Sequence, residues 1–346
     1  MLPDKILLVS SPNNGGLALI HKNGVVVLDR EDTTGIWLSK QIFLRNIINF
    51  CPLRNKKVMQ LQLFKSFTER RVLIEDECYD FHDIILHKDL CYLVSTGTNE
   101  IISLDLSGNI VSRKQYPGNN DSWHINCLAI WNDRLVASAF GEFDTLRGYK
   151  NNSSEKGFIF DIETDTRLFE GLSQPHNPVE HNSLHYVCNS EKREVLIIKN
   201  KSLIASIPFD GYTRGLAFDN NLMYVGISKT RNVETVDDGK LGKIVLVDPL
   251  TYTIIEEIEV PFREVYAICP ISFDHPIMVM LLNMLSQQMS DYKHLYDKLA
   301  EDLSNISAKL QRNIAEIDRI NQDIALGWII KFFRWIKHDN NFGKSK

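Results

Sequence analysis

At 346 residues and a formal charge of −5, the chain exceeds a small single domain but suits one large all-β unit. Its mildly acidic balance excludes broad binding to a nucleic-acid backbone, which needs a clustered basic surface. Six scattered cysteines with no C-x-x-C pair exclude a disulfide scaffold and read as small core residues in a reducing compartment.

The N-terminal stretch MLPDKILLVSSPNNGG lacks a basic region followed by a long apolar run, so no signal peptide is expected. Nowhere do 18 uncharged apolar residues follow one another, so no span of a bilayer is expected. The location that follows is cytoplasmic, with attachment to the inner face of a membrane left open by the C-terminus. ILLVSS, GLALIHKNG and VVVLD read as three strands with no inner strand of their own. Gly15-Gly16 between the first two is hairpin chemistry rather than a phosphate cradle leading into a helix. Residues 34–75 are divergent and are assigned one degenerate sheet.

A repeat then emerges. Units that open with a polar residue, then a short apolar strand, an Asn/Asp turn and a strand of the LYVxS type start at His82, His124, His176, Arg214 and Glu264. These starts are 42, 52, 38 and 50 residues apart, the period of four-stranded propeller blades rather than helical repeats. Asp161 to Thr164 and Asp248 to Thr251 read as turns between third and fourth strands. The last unit has an inner strand and little else, so the N-terminal strands complete it and remove the open sheet edges. The expected fold is an all-β, roughly six-bladed β-propeller over residues 1–281. Five or seven blades also fit, and a β-sandwich is the rival architecture.

In a propeller, the loop leading into each inner strand and the loop between second and third strands share one face. His82, His124, His176, Arg214 and Glu264 would therefore ring the channel mouth, with Asp83, Asn126 and Asn177 beside them. The loops 141–156 and 229–242 would overhang it and bring Glu142, Asp144, Arg147, Lys229 and Arg231. Such a ring is the expected ligand site. The plainer reading is that these groups cap strand ends. His82, His124 and His176 are candidate ligands for a divalent metal, although the local spacing matches no established zinc motif. No G-x-S-x-G, P-loop, G-x-G-x-x-G or H-E-x-x-H occurs, so no catalytic group can be named.

Three stretches resemble a known family: DSWHINCLAIWNDRLVASAFGEFDT (121–145), SQPHNPVEHNSLHYVCNS (173–190) and GYTRGLAFDNNLMYVGISKTR (211–231). It is an uncharacterised bacterial family with propeller-like members, carried as a domain of unknown function. The matching positions are His124 with Asn126, Gly141-Glu142 with Asp144-Thr145, Pro175-His176, Gly211 with Arg214-Gly215, and Gly226, Ser228 and Arg231. Asn177 stands where the family usually has Ser. The likeness spans roughly residues 80–275. It implies a propeller, and a setting beside glycosyltransferases, methyltransferases or tetratricopeptide proteins, but no activity.

From Leu282 the period becomes seven. Leu282, Met289, Tyr296, Leu303, Leu310, Ile317 and Ile324 alternate with Leu285, Tyr292, Leu299, Ile306, Asn313 and Ile320. This is a coiled-coil seam over 282–325, for self-association or a partner helix, with Asn313 as a register-fixing polar residue. A long helix packed on the propeller is the alternative. Residues 326–346 form a third segment, whose aromatic and basic run to Lys337 suits a membrane surface or a partner's groove.

Two functions follow. One is a non-catalytic binding or scaffold module of surface-glycan synthesis, tethered by its coiled coil to itself or to a glycosyltransferase-type partner. The other is a metal-dependent hydrolase, lyase or epimerase acting on a sugar derivative, with Arg214 holding an anion.

Overall fold

Short runs rich in Val, Ile, Leu, Tyr and Phe, broken by Asn, Asp and Gly, give antiparallel sheets of four strands. The structure is a computed structural model that describes residues 5–51, 55–65, 69–77, 79–219, 221–228 and 241–339. Among these residues there are six such sheets. Blade I comprises Asp32–Leu38, Phe43–Cys51, Lys56–Phe64 and Arg70–Asp76. The innermost strands of blades II to V are Phe81–His87, Ile125–Trp131, Pro175–His181 and Tyr212–Phe218. Blade VI joins the two ends of the chain: Ala267–Ser272 pairs with Lys5–Ser11, followed by Gly16–His21 and Gly24–Asp29. Each innermost strand touches the next around a closed ring. This is a six-bladed β-propeller, and residues 34–75 do supply a complete blade.

Burial follows strand rank. Inner and middle strands are apolar on both faces and pack between neighbouring blades, as Leu17, Leu19, Phe43, Phe64 and Tyr266 do at the junction of blades VI and I. Fourth strands such as RRVLIED, IVSRKQ and IIEEIE are largely exposed and carry charges, which blunts outward pairing with another chain. The two D-x-x-T turns behave as expected: Asp161 Oδ1 accepts from the amides of Glu163 and Thr164, and Asp248 Oδ1 from those of Leu250 and Thr251.

One feature recurs that alternation of polar and apolar residues does not reveal. The innermost strands of blades I to V each gain one residue against their partner near their start. The register jumps between Thr33 and Ile36, Phe81 and Ile84, Ile125 and Cys127, His176 and Val179, and Thr213 and Leu216. Such a bulge re-aims side chains at a strand end. Here one bulge residue faces the channel and another reaches the next blade. Thr34 Oγ1 donates to Phe81 O (2.6 Å), Asp83 Oδ2 accepts from Leu128 N (2.8 Å), and Asn177 Oδ1 accepts from Gly215 N (3.0 Å). Ser10 Oγ donates to Thr34 O (2.6 Å), which ties blade VI into the same belt. Gly226 permits the closest approach, since a Cβ there would run into Arg214 O and Val265.

A single helix, Ile277–Asp339, follows the last strand. It begins before the expected start of the seam, because Ile277, Met278, Met280 and Leu281 are buried in the propeller core. The chain divides into two compact units, residues 1–285 and 286–346. The helix runs on through residue 326, the expected start of the third segment. Among the described residues no helix is long and apolar enough to cross a membrane.

Candidate functional site

A cavity of about 360 Å³ opens where the inner strands begin. His82, His124, His176, Arg214, Glu264 and Arg147, all expected there, line it. Thr34, Asn13 and Ser228 join them from blade I's inner strand and from the ends of second strands. The expected pairing of inner-strand starts with second-to-third-strand loops on one face is what the fold shows.

Other expected residues are elsewhere. Asn126 lies in the blade III bulge, where its Oδ1 accepts from Ser138 Oγ (2.7 Å) and its Nδ2 donates to His124 O (3.2 Å). Asn177 is spent on the blade V backbone, as above, and Asp83 likewise on blade III. Glu142 and Asp144 turn outward to a separate hollow beside Tyr116, Trp123 and Phe143. Arg167 draws Glu142 there through a 2.6 Å ion pair. Lys229 and Arg231 fall outside the described residues.

Several lining groups escape the repeat pattern: Asp80, Asp121, Tyr149, Gln174 and Tyr212. Each of Asp80, Asp121, Gln174 and Tyr212 stands two or three residues ahead of an aligned His or Arg. Left-handed backbone brings them in, with φ of 47° at Asp80, 50° at Asp121, 49° at His124 and 53° at Gln174. Non-glycine residues held there cost of order 1–3 kcal/mol each and gather where geometry serves function.

The three imidazoles share one arrangement. Nδ1 of His82 lies 3.0 Å from Asp80 O, Nδ1 of His176 lies 3.0 Å from Gln174 O, and Nδ1 of His124 lies 2.7 Å from Asp121 Oδ1. A carbonyl or carboxylate oxygen accepts, so each Nδ1 carries a proton, and in the neutral His82 and His176 rings Nε2 keeps its lone pair. Burial, aided by His124 and Arg214, outweighs Asp80 and lowers His82 to about 4. Burial and then Arg214 hold His176 well below its ordinary value. Both rings are neutral at pH 7.

Asp121 is a hub. Its Oδ1 holds His124, while Oδ2 takes Arg147 Nε (2.8 Å) and the Tyr149 hydroxyl (3.2 Å). Burial alone would raise it, but the bonds from His124 and Arg147 prevail and keep its carboxyl below the usual range. The His124 ring lies 4.3 Å from that of Phe140, 4.4 Å from that of Tyr149 and 5.1 Å from that of His82, between centroids. Opposite, Arg214 is 5% exposed and pairs through Nη1 with Glu264 Oε2 (3.0 Å), its guanidinium 4.0 Å above the Tyr266 ring. Asn13 Nδ2 donates to the other oxygen of Glu264 (3.0 Å). Tyr212 donates to Gln174 Oε1 (2.8 Å).

Among the described residues, no three His, Cys, Asp or Glu side chains are disposed to hold a metal ion. His124 and His176 pack on the Phe140 ring and His82 on His124 and Tyr266, around the cavity rather than one coordination point. Their Nδ1 atoms are also committed to protein oxygens.

The buried neutral histidines make stability pH-dependent. With a folded value near 4 against 6.5 unfolded, His82 contributes fully above pH 6.5 and progressively less as pH falls towards 4. Asp83 acts oppositely, since burial, only partly offset by the Leu128 and Ile84 amides, lifts it to about 7. The histidine effect therefore shows as a difference between proteins. The stability gap between wild type and His82→Gln, from urea unfolding, shrinks by about 2 kcal/mol from pH 7.5 to pH 5. A constant gap would contradict a neutral buried His82.

Residues 5–272 match the profile of a family described as a domain of unknown function, DUF4915. No curated protein matches the sequence. Among solved structures, a chain of a nidogen/laminin complex superposes with a TM-score of 0.57 at 10% identity, covering 77% of this chain and 98% of that one. A putative oxidoreductase of glucose-dehydrogenase type from Thermus thermophilus gives 0.50 at 12% identity, covering 70% and 93%. A streptogramin B lyase gives 0.44 at 12%, covering 66% and 69%. At these identities the first two share the propeller fold and nothing more specific.

Proposed function

Taking as premise that the chain belongs to the DUF4915 family, we propose that the channel mouth binds a small hydroxylated anion of sugar-acid type. The carrying observation is the uneven use of polar capacity in the cavity. Its two buried carboxylates are engaged: Asp121 with three partners, and Glu264 with Arg214 and Asn13. What remains are guanidinium donors, Lys150 at the rim, and imidazole acceptors. Among the described residues Arg214 Nε has no hydrogen-bond partner. Guanidinium suits a carboxylate or phosphate, and neutral Nε2 atoms accept from hydroxyls. The volume lies at the lower end of small-molecule sites. Calorimetric titration with gluconate, using sorbitol as the uncharged control, tests this. Saturable binding of gluconate alone supports the reading, and equal binding of both or of neither overturns it.

The helix supports a second part of the reading, self-association through a coiled coil with a second copy of the chain. Met289, Leu299, Leu303, Ile306, Leu310 and Ile317 are all more than half exposed. Their seven-residue repeat matches another helix of the same period rather than a globular surface. In sedimentation equilibrium the full chain is expected to be oligomeric and Leu303→Asp/Leu310→Asp monomeric. A wild-type monomer at tens of micromolar, on the order at which a six-heptad seam should associate, would refute it.

A further inference from the structure

We propose that Asp121 and His124 form a general-base pair that activates water to hydrolyse a lactone or ester of a sugar acid in the channel-mouth cavity. This rests on the ligand site proposed above and adds chemistry to it. The pair has the geometry of a base with its orienting carboxylate. Asp121 Oδ1 lies 2.7 Å from His124 Nδ1, which fixes the tautomer and leaves Nε2 as the basic atom of a cavity-lining ring.

Both oxygens of Asp121 are committed, and the His124 ring packs against both Phe140 and Tyr149. His124 is also held at φ 49°, in the left-handed region that Asn, Asp and His enter more readily than most residues. Capping a strand end would not require the ring, the carboxylate and two further donors to be aligned.

Water is the nucleophile because the lining hydroxyls are spent. Ser228 Oγ donates to Val265 O and accepts from Val265 N, and Thr34 Oγ1 donates to Phe81 O. Among the described residues no cysteine lines the cavity. Arg214 in the same cavity supplies a fixed positive charge for an oxyanion.

The step balances without a further reactant. Water gives a proton to His124 Nε2 while its oxygen bonds to the acyl carbon, and the carbonyl π pair moves to the oxygen facing Arg214. Collapse reforms the carbonyl and breaks the bond to the ring or ester oxygen, which takes the proton back from His124. The products are the sugar acid and a hydroxyl, on the same chain for a lactone. Such an acid is the ligand proposed above for the same site.

The test uses the full chain with glucono-δ-lactone, galactono-γ-lactone and methyl glucuronate in a pH-stat, and gluconate binding in parallel. His124→Asn is the first variant, since asparagine tolerates the left-handed backbone. It should lower kcat by about 100-fold or more, a larger factor than the loss of gluconate affinity that follows from removing one of three imidazole contacts. Asp121→Asn is the second: it should lower kcat and move the acid limb of the pH–rate profile to lower pH, which a merely structural role would not do. If gluconate binds but none of the three compounds opens faster than in buffer, the catalytic proposal is wrong and the ligand site stands. If His124→Asn retains full turnover, the base is misassigned. If gluconate does not bind, the ligand reading itself falls.

Discussion

Replacing Arg214 by methionine is expected to lower stability by about 3–5 kcal/mol and to abolish gluconate binding. Arg214 and Glu264 are 5% and 6% exposed and lie 3.0 Å apart, one on blade V and one on the connection into blade VI. Removing the guanidinium leaves a buried carboxylate with the Asn13 amide in place of a full charge. It also removes the cation from above Tyr266, whose burial already holds its hydroxyl well above the ordinary value. The double variant Arg214→Met/Glu264→Gln removes both charges and keeps the acceptor for Asn13. It should recover most of the lost stability but none of the binding. Urea unfolding and calorimetry separate the two effects. A double variant as unstable as the single one would mean that Arg214 acts through packing rather than charge.

Arg45→Met should be comparably costly, again about 3–5 kcal/mol, with no direct effect on the cavity. Arg45 is fully buried on the second strand of blade I. Its two Nη atoms reach both oxygens of Asp29 at 2.6 and 3.1 Å, and Nη2 also donates to Thr33 Oγ1 at 2.7 Å. Asp29 ends the outermost strand of blade VI, so this bidentate pair clips the blade that closes the ring to its neighbour. Such a pair contributes little over an apolar isostere yet costs much when half of it is removed. Arg45→Met/Asp29→Asn should therefore unfold at a urea concentration nearer to wild type. A single variant within about 1 kcal/mol of wild type, the magnitude expected for surface pairs, would show that the clip is dispensable.

How far the sequence anticipates this molecule depends on which signal each residue carries. The blade period and the polar residue before each inner strand are repeated information, and they locate His82, His124, His176, Arg214 and Glu264 together. The missing inner strand of the N-terminal sheet and the lone strand near Glu264 imply ring closure, which the pairing of Lys5–Ser11 with Ala267–Ser272 realises. The bulges are not legible, because one inserted residue changes which neighbour faces the channel without altering composition. Asn126 and Asn177 are for that reason expected at the mouth and instead serve the backbone. Asp121 and Gln174 carry a readable signal, a polar residue two or three places ahead of an aligned histidine, but their inward aim depends on left-handed backbone. Loop 141–156 shows the same limit. Its charges are visible in the sequence, yet only Arg147 and Lys150 of them turn inward, since Arg167 draws Glu142 outward. The seven-residue period past Leu282 is plain in the sequence, whereas the burial of Ile277, Met278, Met280 and Leu281 in the core belongs to tertiary packing.

Histidine-resolved NMR during a gluconate titration probes the convergence of blades on one ligand most directly. His176 and His181 lie at the mouth and at the far end of the same strand, Pro175–His181, and His185 stacks on Trp131 at that far end. Co-saturating shifts of the His82, His124 and His176 ring signals, with His181 and His185 unmoved, are the predicted result. Shifts confined to His181 and His185, or to one histidine of the three, would show that these side chains do not share a ligand.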